Sequence, residues 1–201
     1  MLKNDNQIED NLKLVLASGS SRREEILEGL DLKFTVVPSK LDESKFENDD
    51  PIELVKTLAE EKAKSVSKLV EDALVIAADT IIVYENEVLG KPEKKSEARR
   101  TLKMLNGDKH QVITALTVMN SQSKKFYSVE NITDVKMMEL SEEEIKTYVE
   151  TGEPLDKAGS YAIQGLGGLF IEEIKGSFYS VMGLPIHQLA KLLDKFNYGI
   201  L

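Results

Sequence analysis

Four of the 26 basic residues in this chain are arginines, and two of those four stand together as Arg22-Arg23, directly after Ser18-Gly19-Ser20-Ser21. A short apolar run, Leu14 to Ala17, precedes the loop, and Ile26, Leu27 and Leu30 follow it at helical spacing, so the pattern reads strand, loop, helix. Cations in the first turn of a helix are disfavoured by its macrodipole, and a bound anion reverses that penalty. The backbone N–H groups of Ser18 to Ser21 and two bidentate guanidiniums are the parts of a phosphate cradle. A purely local explanation competes: Ser21-x-x-Glu24 has the form of a capping box, which accounts for Ser21 and Glu24 but not for the arginines.

Asp79 is the second anomaly, because Leu74 to Val83 is otherwise apolar apart from Thr80. Burying an ionised carboxylate without a partner costs several kcal/mol, so Asp79 is either a structural acceptor at a strand end or a metal ligand or general base on a rigid strand. The anion loop nearby favours the second. Lys62 shares a helical row with Leu58 and Val66, which lays its stem beside a buried stripe. Lys91 in Gly90-Lys91-Pro92 and Lys157 in Asp156-Lys157-Ala158-Gly159 sit in rigid or glycine-marked loops where a phosphate-contacting lysine fits.

The chain has no cysteine and only two histidines, His110 and His187. Thiolate chemistry, sulfur-ligated metals and paired-histidine zinc motifs are thereby excluded; His110 reads as opening an apolar strand and His187 as part of the last helix, without functional roles. What remains is carboxylates, lysines, arginines and a hard cation. The run Gly165-Leu166-Gly167-Gly168 leads into a strand, the wrong context for a dinucleotide loop.

The elements that must position these groups follow from periodicity. Phe34 to Val37 reads as a second strand. Asp50-Pro51 caps a helix whose apolar face runs through Val55, Leu58, Ala59, Ala63, Val66 and Leu69. Leu74 to Tyr84 reads as one strand, or two broken at Asp79, ending in a turn at Glu85-Asn86. A helix spans about Ser96 to Leu105, with Arg99-Arg100 on a solvated face. Val112 to Met119 and Phe126 to Met138 form a hairpin, Ser141 to Glu144 a capping box opening a helix through Val149, and Gly159 to Gly168 an irregular stretch before a strand near Leu169 to Ile174. Pro185 starts the last helix. The order predicts a mixed α/β sheet in one domain, residues 14–201, behind a polar N-terminal extension, residues 1–13, expected to be flexible.

With 35 acidic against 26 basic residues the net charge is -9, which argues against a general nucleic-acid partner. The polar first residues lack a signal-peptide core and no apolar run reaches membrane-spanning length, so no membrane association is expected, and the missing cysteine favours the cytoplasm.

Taken together, Leu16 to Arg23, Ala78-Asp79-Thr80, Gly90-Lys91-Pro92, Asp156 to Gly165 and Val181 to Ile186 closely resemble the Maf family of nucleotide pyrophosphatases, five blocks in the family's order from Leu14 to the last helix. The resemblance implies an elongated mixed-sheet α/β fold of the Maf/Ham1-like (ITPase-like) kind with a central cleft, a divalent cation such as Mg2+ or Mn2+, and a homodimer. It implies hydrolysis of a nucleoside triphosphate to monophosphate and pyrophosphate, with the Ala-Asp-Thr and Ile-Gln-Gly blocks similar to the branch acting on dTTP and UTP rather than 7-methyl-GTP. Carried over, Asp79 corresponds to the catalytic proton acceptor, and Arg22, Thr80 and Gln164 to residues associated with base choice. Ser18, Arg22, Arg23, Lys62, Thr80, Lys91 and Gln164 are thus the expected substrate contacts, and Glu43, better matched than Asp42, joins Asp79 as an expected metal contact. The family often carries proline where this chain has Ser21. A non-catalytic nucleotide-binding regulator of septum formation is one alternative, though a pure binder has no need of Asp79; the same chemistry on another base, such as 7-methyl-GTP, is the other.

Overall fold

The computed structural model describes residues 12–200; most of the polar extension expected over residues 1–13 lies outside them, and Lys13 already belongs to the first strand. In chain order the strands are β1 (Lys13–Leu16), β2 (Phe34–Val36), β3 (Ala73–Tyr84), β4 (Glu87–Leu89), β5 (Lys109–Asn120), β6 (Phe126–Met137) and β7 (Ile171–Lys175). The helices are α1 (Ser21–Glu28), α2 (Pro51–Val66), α3 (Lys95–Leu105), α4 (Glu142–Glu150), α5 (Phe178–Met182) and α6 (Ile186–Asp194).

All seven strands join one sheet in the order β2-β1-β3-β5-β6-β7, with β4 paired to the end of β3. β1 runs parallel to both β2 and β3, and the remaining pairs are antiparallel, so the sheet is mixed as expected. β3 is a single strand that passes through Asp79 without a break. Its buried β-branched and small residues suit a centre strand flanked on both sides.

Strand alternation divides the core. Even-numbered Leu74, Ile76 and Ala78 of β3 pack with Ile26 and Leu27 of α1, Met182 of α5 and Leu189, Leu192 and Leu193 of α6. Further along the same face, Ile82 meets Ala98, Leu102 and Leu105 of α3 and Ile145 and Tyr148 of α4. The odd-numbered face is covered by α2, whose Ala63 and Val66 meet Val75 and Ala77 while Val55 and Ala59 meet Ile81 and Val83. Asp50 caps α2 through a 2.8 Å bond from the Ile52 amide, with Pro51 following at a position that has no donor to lose.

Three local expectations change. Helix α2 stops at Val66, so Leu69, expected on its apolar face, lies beyond its end and is exposed. Helix α1 is capped by Ser20, whose side chain makes no cap bond, so the Ser21-x-x-Glu24 capping box does not form. The one at Ser141 and Glu144 does form, both reciprocal bonds being present. Gly159 to Gly168 is not uniformly irregular but contains 3-10 turns at Ala158–Ser160 and Gly165–Phe170, which delays the following strand to Ile171.

Candidate active site

On the side of β3 away from β5, β1 pairs with residues Ala73 to Ile76 and β4 with Ile82 to Tyr84. Between them the edge has no strand neighbour among the described residues, and Asp79 and Thr80 lie in this gap. Consecutive side chains point to opposite faces of a sheet, so a gap here lets one opening collect groups from both faces. A cavity of about 720 Å3 occupies it, lined by the Ser18 to Arg23 loop, Glu43, Lys62, Asp79, Thr80, the Gly90-Lys91 loop, Asp156 to Ala158 and Gly183.

On the α2 face, Asp79 is 7% exposed and ion-paired with the Nζ of Lys62, itself 8% exposed. The same Nζ lies 2.8 Å from Oε1 of Glu43. Lys62 comes from the buried row of α2, so its stem is packed while its ammonium bridges two carboxylates. The bridge offsets the desolvation of Asp79, which is the partner its apolar surroundings require. Neighbouring Asp42 turns away: its carboxylate accepts from Ser44 Oγ at 2.7 Å and pairs with Lys45 at 3.2 Å, and these bonds hold it below its usual pKa.

On the α1 face, Arg23 donates from Nε to the Gly183 carbonyl at 2.8 Å, from Nη1 to Ser18 Oγ at 3.2 Å and from Nη2 to Thr80 Oγ1 at 3.2 Å. Burial lowers its pKa from the usual value, against the opposing pull of the charges on Asp79 and Glu43; a guanidinium stays protonated regardless. Gly183 has φ +104°, and a Cβ there would sit 3.2 Å from Arg23 Nε, so glycine is what allows the backbone to meet the guanidinium. Thr80 Oγ1 lies 2.9 Å from Thr114 Oγ1, which reaches the Ser180 carbonyl at 2.7 Å. The carbonyl can only accept, so Thr114 donates to it, Thr80 donates to Thr114, and Thr80 is left to accept from Arg23.

Arg22 also faces the cavity, and among the described residues its side chain has no hydrogen-bond or ion-pair partner. Lys91 lines the rim, exposed, in a loop whose Gly90 carbonyl accepts from the Gly159 amide at 3.3 Å. Lys157 lines it as well, donating to the Glu153 carbonyl at 2.9 Å and to Asp156 at 2.6 Å. Of the expected contacts, Ser18, Arg22, Arg23, Lys62, Thr80 and Lys91 come together with Glu43 and Asp79 around one cavity. Gln164 does not: it is half-buried and precedes the Gly165–Phe170 turn, while its neighbour Ile163 is the one that reaches the lining. Thr114, fully buried, was missed, although it carries the signal that marked Asp79, a polar side chain inside an apolar run.

The donor set bears on a cation. Among the described residues no group of three or more histidine, cysteine, aspartate or glutamate side chains converges. Two hard carboxylates, Glu43 and Asp79, on the wall of the cavity fit Mg2+ or Mn2+, which commonly use one or two carboxylates together with substrate phosphates.

A family model described as Maf-like protein matches residues 13–196. A dTTP/UTP pyrophosphatase of Alkaliphilus metalliredigens is 45% identical over 191 residues, covering 94% of this chain and 99% of that protein. Proteins of the same name from Bacillus cytotoxicus and Bacillus cereus are each 43% identical, over 93% and 94% of this chain and 97% of their own length.

Proposed function

Because the chain belongs to the Maf-like protein family, we propose that it hydrolyses nucleoside triphosphates, dTTP and UTP foremost, to the monophosphate and pyrophosphate. The observation that carries most weight is the juxtaposition in the β3 gap. A carboxylate and lysine pair lies on one face, a guanidinium cradle on the other, and a single cavity of nucleotide size serves both.

In this reading a water molecule attacks the α-phosphorus, the bond from that phosphorus to the bridging oxygen of the β-phosphate breaks, and Asp79 takes the proton that the water gives up. Arg22 binds phosphate directly. Arg23 holds Ser18 and Thr80 in place and turns its remaining N–H groups toward the same oxygens. Lys62 and Lys91 offset the charge that grows on departing pyrophosphate. Asp79 and Glu43 are the residues that would hold the divalent cation, which when bound supplies Lewis-acid charge at phosphate oxygens. Gln164 is the candidate reader of the pyrimidine edge, since its amide both donates and accepts. We further read the protein as a homodimer acting in the cytoplasm without a nucleic-acid or membrane partner; among the described residues no helix is long and apolar enough to cross a membrane.

The test is purified protein with magnesium against a panel of pyrimidine and purine triphosphates, with products identified directly. Monophosphate and pyrophosphate from dTTP and UTP are expected. Orthophosphate and a diphosphate as first products would overturn the bond assignment, and binding without turnover would favour a nucleotide-binding regulator.

A further inference from the structure

Glu153 lies outside the cavity lining, yet its carboxylate is used on both oxygens. Oε1 accepts from Tyr148 Oη at 2.9 Å and from the Gly167 amide at 2.9 Å, and Oε2 accepts from the Leu166 amide at 3.1 Å. Tyr148 Oη in turn accepts from the Ala162 amide at 3.3 Å. The short span Ile163 to Gly165 is therefore tied at both ends, through Tyr148 on one side and Glu153 on the other. Ile163 is the member of that span that lines the cavity.

The glycines here are required by the close packing of this turn, one of them against the same carboxylate. A Cβ on Gly165, at φ +73°, would lie 2.8 Å from Glu153 Oε2. One on Gly167 would lie 2.5 Å from both the Ala162 carbonyl and Tyr148 Oη, and one on Gly168 would lie 2.7 Å from the Ile163 carbonyl. The glycine-rich run thus brings backbone close to backbone and to one acid, rather than to a phosphate. The backbone carbonyl of Glu153 also accepts from Lys157 on the cavity wall.

We propose that Glu153 is a positioning residue for the nucleotide: by gathering the Leu166 and Gly167 amides it fixes Ile163 at the cavity wall, and Gln164 next to it, and so governs substrate affinity and base preference. This rests on the pyrophosphatase reading. A carboxylate bound to two backbone amides is worth more than a neutral acceptor, so removing its charge should loosen the turn without disturbing Asp79 or Lys62.

Glu153→Gln and Glu153→Ala should be compared with the parent for dTTP and for a purine triphosphate, alongside backbone hydrogen exchange. The expected result for Glu153→Gln is a KM for dTTP raised about tenfold, a smaller change in kcat, a narrowed pyrimidine-to-purine ratio and faster exchange at Leu166 and Gly167. Glu153→Asp, which keeps the charge, should recover part of the KM. Unchanged KM and unchanged base ratio in a variant that exchanges faster would overturn the proposal, as would equal losses in kcat and KM for Gln and Asp alike. Should no variant fold, the parent still decides: protected Leu166 and Gly167 amides before any nucleotide is added support a preset turn, and unprotected ones overturn it. Failure of the underlying reading looks different, as a parent that does not turn over at all.

Discussion

At Asp79 the chemistry depends on a carboxylate held in the middle of a strand, with Lys62 as its counter-charge. Asp79→Asn preserves shape but can neither take up a proton nor offer a full negative charge. Its turnover should fall roughly 10²–10⁴-fold while the melting temperature stays at or above that of the parent. Near-parent turnover in a folded variant would make Asp79 structural. The two arginines separate in the same way. Arg22→Ala removes a side chain without a protein partner among the described residues and should leave stability unchanged while weakening substrate use by roughly 1.5–3 kcal/mol. Arg23→Ala also strips donors from Gly183, Ser18 and Thr80 and should cost roughly 2 kcal/mol of folding stability as well. Kinetics and denaturant unfolding on both variants decide the matter, and identical stabilities would show that the Arg23 contacts hold nothing in place.

At the scale of elements, the site depends on where strands stop. Helix α2, the β5 and β6 hairpin and the Ser141 capping box were legible because local periodicity and capping chemistry agree with the tertiary fold. Asp79, Arg22, Arg23 and Lys62 were legible as residues that local structure alone does not explain. The capping box at Ser21 was misleading because Ser20 takes the cap position and Ser18 Oγ is already engaged by the Ser20 amide and Arg23. Helix α5 has five residues, too few for a periodic signal, and β4 has three. Glu153 was invisible because the amides it accepts from lie 13 and 14 residues away, in a turn without a periodic pattern. The C-terminal turn of α5 offers a test at this scale. Gly183→Ala places a Cβ at φ +104° against Arg23 and Thr80, and should both destabilise the fold by about 1–3 kcal/mol and raise KM. Loss of stability with unaltered KM would detach this turn from the substrate.

Across the whole molecule, acid should act first on a buried residue that takes no part in the proposed chemistry but is bonded to Tyr161 of the cavity lining. His110 is 3% exposed, bonded through Nε2 to Tyr161 Oη at 2.7 Å, and its Nδ1 has no partner among the described residues. Burial pushes its pKa down to about 4 from 6.5, against a weaker upward pull from Asp108. The unfolded chain therefore binds the proton more readily, and stability falls as pH drops from about 6.5 toward 4. Linkage gives a loss of roughly 2 kcal/mol between pH 7 and pH 5. Urea unfolding at the two pH values should show that difference in the parent and a smaller one in His110→Gln; equal slopes would assign the acid response to other groups.

The ammonium of Lys62 touching both Glu43 and Asp79 carries a practical consequence for handling and for the order of events. A pair of acids so bridged already has a counter-charge from within the fold, so the fold is expected to hold without dissolved magnesium. Dialysis against a chelator should leave the melting temperature within about 1 °C, with any need for the ion confined to turnover. Conversely, an added divalent ion has to compete with a tethered lysine, and a triphosphate that draws that lysine to its own oxygens is what opens the contest. Divalent ion and nucleotide are then expected to enter as a pair, each binding more tightly when the other is present. Calorimetric titration of manganese with and without a non-hydrolysable pyrimidine triphosphate measures that coupling, and independent affinities would mean that Lys62 yields to the ion unaided.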